Sequence, residues 1–210
     1  MTPEDIAAAF TARDGAYRFA RWGRPVAPVV FGVEEATLGV LHDAIHRATT
    51  LAGLTLAGSD PDLGANLMLF SFRDWQELLE VPDLGEMLGD LPALVARLTA
   101  AEAQTWRGFR FDESGAIRAC FSCIRMGGLL ADNPADLLAA HEALAMLLTW
   151  ARVPPLQRDA AGVIGSHPEI ARLVAAAYDP AMPDTAEDAA HALRLWARAE
   201  AARSHEREGW

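Results

Sequence analysis

The spacing of hydrophobic residues changes along this chain, and that change restricts the fold more than any other feature of the sequence. Between residues 36 and 51 hydrophobic side chains recur every three or four positions, which predicts a helix that ends near Gly53. Residues 65–72 form a short apolar run after a turn-rich loop, so we expect a buried strand there. The segments 109–111 and 117–126 flank a loop suited to a hairpin and predict two antiparallel strands. The chain is therefore expected to fold as an α+β protein.

The stretch 135–152 is strongly apolar and predicts a central helix that is buried on most sides. Two shorter helices are predicted over residues 167–178 and 185–204. We expect a small sheet, mostly antiparallel or mixed, that packs against the central helix. A chain of 210 residues fits one ordinary domain, which we place at residues 1–204, and residues 205–210 are expected to be a frayed tail.

The charge of the chain restricts its partners. The 18 basic residues are all arginines and are outnumbered by 29 acidic residues, which gives a formal net charge of -11. No basic stripe with interleaved aromatic residues occurs, so we expect neither nucleic acid nor an anionic membrane surface as a partner. No run of 18 apolar residues is present, and membrane insertion is not expected. Acidic residues stand where a secretory signal would be basic, so the sequence as written predicts a cytoplasmic protein, or an exported one if a leader was removed.

Cys120 and Cys123 form a C-x-x-C pattern within a segment that alternates like a strand. Residues three apart on a strand point to opposite faces of the sheet, so the two thiols should diverge. We therefore interpret them as two separate structural cysteines and not as a redox or metal pair.

The sequence His141-Glu142-Ala143-Leu144-Ala145 contains half of a zinc-protease motif. The complete H-E-x-x-H motif places two imidazoles one helical turn apart on one face, where they bind Zn²⁺ while the glutamate polarises the bound water. Ala145 stands at the second histidine position, and a lone imidazole cannot hold zinc usefully. His141 and Glu142 are therefore candidate catalytic residues only if other metal ligands come from elsewhere.

His167 and Glu169 are the candidates for those further metal ligands, because some zinc proteases take a glutamate from a later helix. The competing interpretation is that Ser166 caps a helix, Pro168 lies in its first turn and Glu169 completes a capping box. This second interpretation explains the whole local sequence without a metal.

His42 and His46 form a separate pair one helical turn apart. Two imidazoles on one helix face bind Zn²⁺, Ni²⁺ or Cu²⁺ adventitiously, but a functional site needs at least a third ligand. The apolar neighbours of the pair occupy the core face of the predicted helix, so both histidines are expected at the edge of that core.

Several short motifs together resemble a bacterial family of unknown function with zincin-like features. They are Tyr17, Arg21-Trp22-Gly23-Arg24-Pro25-Val26, Leu51-Ala52-Gly53-Leu54, Ala65-Asn66-Leu67-Met68, Gly115-Ala116-Ile117-Arg118-Ala119, His141-Glu142 and Tyr178-Asp179-Pro180. The resemblance spans most of residues 15–190 and implies a zincin-like fold. The segment 146–150 offers no metal ligand where a metzincin would place its glycine and third histidine, so the resemblance implies the fold more than the activity.

These observations lead to three hypotheses about function. The first is a non-catalytic zincin-like domain that binds a protein partner or serves as a structural or accessory component, with no cofactor. The second is a metal-dependent hydrolase in which His141 binds zinc, Glu142 acts as general base and His167 or Glu169 completes the site. The third is a small-molecule sensor that uses the degenerate cleft. Replacing Glu142 by Gln should abolish activity in the hydrolase, whereas it should change stability modestly or not at all in the first case.

Overall fold

The fold was analysed in a computed structural model, which describes residues 1–126, 134–158 and 164–208. Its helices are α1 (Pro3–Phe10), α2 (Glu35–Leu51), a 3-10 helix (Trp75–Glu80), α3 (Leu84–Leu88), α4 (Leu91–Ala100), α5 (Ala135–Ala145), α6 (Pro168–Ala177) and α7 (Ala190–Glu208). Its strands are β1 (Phe19–Ala20), β2 (Pro28–Phe31), β3 (Leu67–Phe72), β4 (Thr105–Phe111), β5 (Ile117–Arg125), β6 (Leu156–Arg158), β7 (Ile164–Ser166) and β8 (Thr185–Ala186). The α+β class is confirmed.

The central sheet has four strands in the order β2-β3-β5-β4. Strands β2 and β3 are parallel, as are β3 and β5, whereas β4 and β5 form the antiparallel hairpin that the sequence predicts. The sheet is therefore mixed, which is one of the two arrangements that the sequence predicts. The reason is that α2 connects β2 to β3, and a helical crossover returns the chain in the same direction. The pairs β1-β8 and β6-β7 are short and antiparallel.

The central helix is shorter than the sequence predicts, because α5 ends at Ala145 and not at residue 152. Met146, Leu147 and Leu148 are nonetheless fully buried. Met146 and Leu147 form a turn and Leu148 forms an isolated bridge with Arg21, so the buried chain continues here without helical structure. Burial keeps the segment apolar whether it is helical or not, and hydrophobicity alone therefore does not mark the end of the helix.

The C-terminal third also differs from its predicted boundaries. Residues Thr185–Ala186 pair with β1, and α7 begins only at Ala190. The same helix continues to Glu208, so the tail predicted from residue 205 is helical that far, and residues 209–210 lie outside the described residues. The helix predicted over 167–178 is confirmed as α6.

The sheet has two faces that bury separate cores. The first face packs beneath α2 and α5, and its inward side chains include Leu67, Leu69, Cys120 and Ile124. The second face packs beneath the 3-10 helix, α3 and α4, and its inward side chains include Phe70, Phe72, Phe121 and Cys123. Within the described ranges, no helix combines the length and the hydrophobicity that a membrane span requires.

Candidate functional site

Glu142 is held in a buried ion pair on the first face of the sheet. Its Oε2 accepts a hydrogen bond from Arg107 Nη2 at 2.5 Å and another from Ser122 Oγ at 2.7 Å. Arg107 and Ser122 are cross-strand partners on β4 and β5, and α5 places Glu142 above them. The residue is 3% exposed, so water has almost no access to this carboxylate.

The electrostatic surroundings keep Glu142 ionised. Burial by itself raises the pKa of the carboxyl group, but the Arg107 charge and the hydrogen bonds from His141, Ser122 and Arg107 outweigh burial and lower the pKa to about 2. The same charge on Glu142 outweighs the burial of Arg107 and raises the pKa of that guanidinium. A general base that works near neutral pH needs a pKa closer to the operating pH and access to a substrate proton. The pair has the properties of an internal structural ion pair.

His141 lies at the outer side of the same helical turn. Its Nδ1 is 3.5 Å from Glu142 Oε1, and its side chain is 41% exposed. The histidine and the glutamate of the half motif are therefore adjacent, but one faces solvent and the other faces the sheet. Arg107 and Ser122 contact the other carboxylate oxygen, Oε2. Both oxygens of Glu142 therefore already have partners within the protein.

His167 and Glu169 lie at the start of α6. The N-cap residue is His167 and not Ser166, because His167 Nδ1 accepts the hydrogen bond from the backbone N–H of Glu169 at 3.2 Å. The Glu169 carboxylate pairs with the amino group of Met1 at 3.0 Å and lies 3.9 Å from His167 Nδ1. Both residues therefore already have partners that explain their positions. Pro168 occupies the first turn, as the capping interpretation predicts.

His42 and His46 are exposed on α2, at the edge of the core as the sequence predicts. Together with Asp43 they border a shallow depression of about 500 Å³ that also contacts Pro28 and Leu56. Among the residues that the structure describes, no group of three or more His, Cys, Asp or Glu side chains is arranged to hold a metal ion.

The two cysteines are buried on opposite faces of the sheet, as the strand alternation predicts. Cys120 belongs to the core of the first face and Cys123 to the core of the second. Both are free thiols, and burial raises the pKa of each to about 12. A protonated thiol in an apolar environment is inert, so the C-x-x-C pattern has a structural role.

The motifs behind the family resemblance contact one another in the interior. The guanidinium of Arg21 donates hydrogen bonds to the carbonyl oxygens of Ala177, Asp179 and Met182 and to the carboxylate of Asp184. Its side chain is only 11% exposed. This arginine therefore ties the N-terminal motif to the Tyr178-Asp179-Pro180 motif.

Two further contacts of these motifs have the same structural character. The Trp22 indole N–H donates to the carbonyl of Met146 at 2.8 Å, and the Tyr178 hydroxyl donates to the carbonyl of Leu147. Asn66, which is fully buried, contacts the backbone of the Pro25 region and the carboxylate of Asp60. These side chains satisfy backbone groups in the core, which a buried segment without secondary structure requires.

A buried histidine that the sequence does not single out lies between α7 and β1. His191 is 2% exposed, and its Nδ1 is 2.9 Å from the hydroxyl of Tyr17. Burial, together with the charges of Arg194 and Arg21, lowers its pKa to about 4. The imidazole is therefore neutral near pH 7. A lone histidine in a helix carries no sequence signal that separates this position from an exposed one.

The second face of the sheet carries an open apolar groove beside strand β2. The groove has a volume of about 640 Å³, and its apolar walls include Phe31, Met68, Phe70, Phe72, Val81 and Met87. Phe31 and Phe70 are cross-strand partners whose rings stack with centroids 4.9 Å apart, and Phe31 is 47% exposed. The 3-10 helix and α3 cover this part of the sheet only along one side.

The rim of the groove is acidic. Glu77 and Glu80 of the 3-10 helix line it. No arginine is among the described lining residues, although the guanidinium of Arg110 donates to the carbonyl of the lining residue Met87. Glu77 accepts a hydrogen bond from the backbone N–H of Asp74, and within the described part of the chain neither glutamate forms an ion pair. The sequence gives no signal for this site, because its apolar residues follow the same alternation as those of a fully covered strand.

Comparison of the chain with protein-family models, with curated protein sequences and with solved structures finds no match.

Proposed function

We propose that this protein is a non-catalytic domain that binds a protein partner through the groove beside β2. The observation that carries the proposal is the exposed apolar groove itself. Sheet faces of this kind are normally covered, and an uncovered apolar surface with a polar rim is typical of an interaction site. Exposed Phe31 at the outer end of the stacked phenylalanines provides the kind of aromatic anchor that contributes most to binding.

The geometry around Glu142 favours this function over a metal-dependent hydrolase. A hydrolytic glutamate must exchange a proton with a metal-bound water, whereas Glu142 is buried and neutralised by Arg107. His141 lies beside the Glu142 carboxylate, and Glu169 is paired with the Met1 amino group. In our proposal the ion pair between Glu142 and Arg107 holds α5 on the sheet.

The zincin-like descent of the domain is part of the same proposal. What supports it is the position of α5, which carries His141-Glu142 over a mixed sheet. If the domain descends from a zinc protease, Arg107 has taken the place of the metal as the cation that neutralises this glutamate. Such a replacement would preserve the packing of the helix after the loss of catalysis.

The partner-binding part of the proposal is tested by site-specific photocrosslinking in cells. A benzoylphenylalanine is introduced at Phe31 in one variant and at Phe111 in a control, because Phe111 is 50% exposed on the opposite edge strand. We expect one discrete protein adduct from position 31 and none from position 111. The purified adduct protein should then bind the native chain about tenfold more tightly than the Phe31→Ala variant. Equal adducts at both positions, or binding that is unaffected by Phe31→Ala, would contradict the proposal.

The non-catalytic part is tested by the metal content of protein purified without a histidine tag. Plasma mass spectrometry should detect no stoichiometric zinc in the native chain or in His141→Ala. Near-stoichiometric zinc that disappears in the variant would overturn the proposal in favour of the hydrolase.

A further inference from the structure

We infer that the groove beside β2 accepts a basic amphipathic helix of the partner. Apolar side chains on one face of that helix would enter the groove, and lysine or arginine side chains at its flank would lie against Glu77 and Glu80. This inference rests on the proposed function and names the chemistry of the partner.

The charges on the groove determine the sign of the charge that the partner must carry. Glu77 and Glu80 are the charged side chains among the described residues that line the groove, and the whole chain carries a formal net charge of -11. The nearby Arg110 guanidinium is already bonded to the carbonyl of Met87. A partner with acidic residues at this rim would place like charges together, which costs affinity, whereas basic residues gain hydrogen bonds to both carboxylates. The same repulsion disfavours a second copy of this acidic chain as the occupant.

The shape of the site favours a helix over an added strand. The groove lies on the face of the sheet, between β2–β3 and residues 77–87. A strand added at the edge of β2 would therefore leave the apolar walls of the groove uncovered. Strand β2 is four residues long and begins with Pro28, which has no N–H to donate. A short edge strand that contains proline is protected against strand addition. A helix instead presents apolar residues at positions i, i+3 or i+4, and i+7 to a groove of this kind.

The composition of the groove suits side chains of different shapes. Met68 and Met87 line the groove together with the stacked pair Phe31 and Phe70. Methionine is flexible and polarizable, and surfaces rich in it adapt to the partner. We therefore expect recognition to depend on the pattern of apolar and basic residues more than on one side chain of the partner.

The test uses synthetic peptides and the methionine methyl signals of the full chain. One 16-residue peptide carries leucines at helical spacing with lysines at the flank, a second replaces the lysines by glutamates, and a third replaces the leucines by alanines. The protein is labelled at its methionine methyl groups. Met68 and Met87 report on the groove, and the buried Met146 and Met182 on the other side of the sheet serve as internal controls.

The expected result is that only the basic amphipathic peptide shifts the Met68 and Met87 signals, with weaker binding as salt is added. Phe31→Ala should weaken this binding about tenfold. The pair Glu77→Gln and Glu80→Gln should weaken it about fivefold, since glutamine keeps an oxygen for the backbone N–H of Asp74. Phe111→Ala and the pair Glu113→Gln and Glu187→Gln are the matched controls, because these residues are exposed and lie outside the groove lining.

Four results would overturn the inference. Equal binding of the acidic peptide would show that charge does not select the partner, and the groove would remain a protein-binding site. Shifts of Met68 and Met87 with dodecyltrimethylammonium but with no peptide would identify a small cationic ligand. Shifts that grow with protein concentration alone would identify a second copy. No shift with any probe, together with no crosslink at position 31, would overturn the proposed function as well.

Discussion

The two faces of the central sheet differ in what covers them and in what they bury. The first face lies beneath two longer helices and encloses a charged pair, Arg107 and Glu142, together with Ser122. The second face lies beneath three shorter helices, buries an apolar core over which the Arg110 guanidinium packs, and stays open beside β2. Within the described residues, the glutamate of the half motif is therefore buried on one face, and the open apolar groove lies on the other.

The comparison shows that a motif of catalytic residue types indicates chemistry only when solvent and substrate reach it. Glu142 has the residue type and the helical position of a general base, but its surroundings give it the role of a buried counterion. The groove belongs to no catalytic motif, yet its exposed Phe31 and its acidic rim are available to a partner.

The largest expected effect is on the first face. Glu142→Gln removes the charge that neutralises Arg107 within the core, so we expect a loss of about 3–5 kcal/mol in the free energy of unfolding. Urea denaturation measures this loss, with Glu113→Gln in the exposed hairpin loop as the control. This revises the modest effect that the sequence predicts. The double variant Arg107→Met with Glu142→Leu should recover most of the loss, and a single-variant loss below about 1 kcal/mol would show that the pair is not buried in solution.

The second expected effect is a loss of stability in acid that arises from His191. Its folded-state pKa of about 4 lies below the ordinary value of 6.5. The unfolded chain therefore binds a proton first as the pH falls, and stability decreases from about pH 6.5 down to about pH 4, by on the order of 2 kcal/mol. His191→Gln should remove this pH dependence of the free energy of unfolding over that window. Glu142 affects stability in a different pH window, because its low pKa makes stability fall only below about pH 4.5. An unchanged pH profile in His191→Gln would contradict the assignment.

A smaller effect should distinguish the covers of the two faces. Cys120 reports on the first face and Cys123 on the second, and both thiols are buried. Reaction with a thiol reagent requires local opening of the cover above each one. In the single-thiol variants Cys120→Ala and Cys123→Ala, we expect Cys123 to react about tenfold faster, a difference of about 1.4 kcal/mol in opening free energy. Equal rates would show that the two covers are equally stable.

The smallest expected effect is on the stability of the groove. Phe31 is 47% exposed, so Phe31→Ala should lower the free energy of unfolding by about 1 kcal/mol or less. Phe121→Ala on the covered part of the same face should lower it by about 3–5 kcal/mol, because that ring is 4% exposed. Thermal unfolding of both variants gives the comparison. A large loss for Phe31→Ala would mean that its ring is needed for the fold and not kept for a partner.

The periodicity of hydrophobic residues was sufficient to predict the elements whose buried and exposed positions follow the helix or strand repeat throughout. The helix α2, the β4–β5 hairpin and the opposite orientation of Cys120 and Cys123 follow from spacing and turn residues. It was insufficient at the end of α5, because the non-helical segment after Ala145 is as buried as the helix before it. It was also insufficient at Thr185, where a two-residue strand forms through pairing with a distant partner.

The candidate sites depend on contacts between residues that are distant in the sequence. Arg107 occupies an inward position of β4, but nothing in its own segment indicates that Glu142 lies 35 positions away above it. The groove exists because part of the second sheet face is not covered by a helix. The sequence does not show this, since a strand beneath a helix has the same hydrophobic alternation as a strand open to solvent. Burial of charge and exposure of apolar surface are properties of the assembled fold, so they are visible only in the structure.

The contacts of Arg21 impose an order on synthesis of the chain. Its guanidinium and its backbone N–H are satisfied by residues 177–184, and the adjacent Phe19 and Ala20 pair with Thr185 and Ala186. These partners leave the ribosome about 160 residues after Arg21 does. The N-terminal segment therefore remains incompletely hydrogen-bonded until residues 177–186 have been translated, and during that interval its apolar residues are open to chaperones.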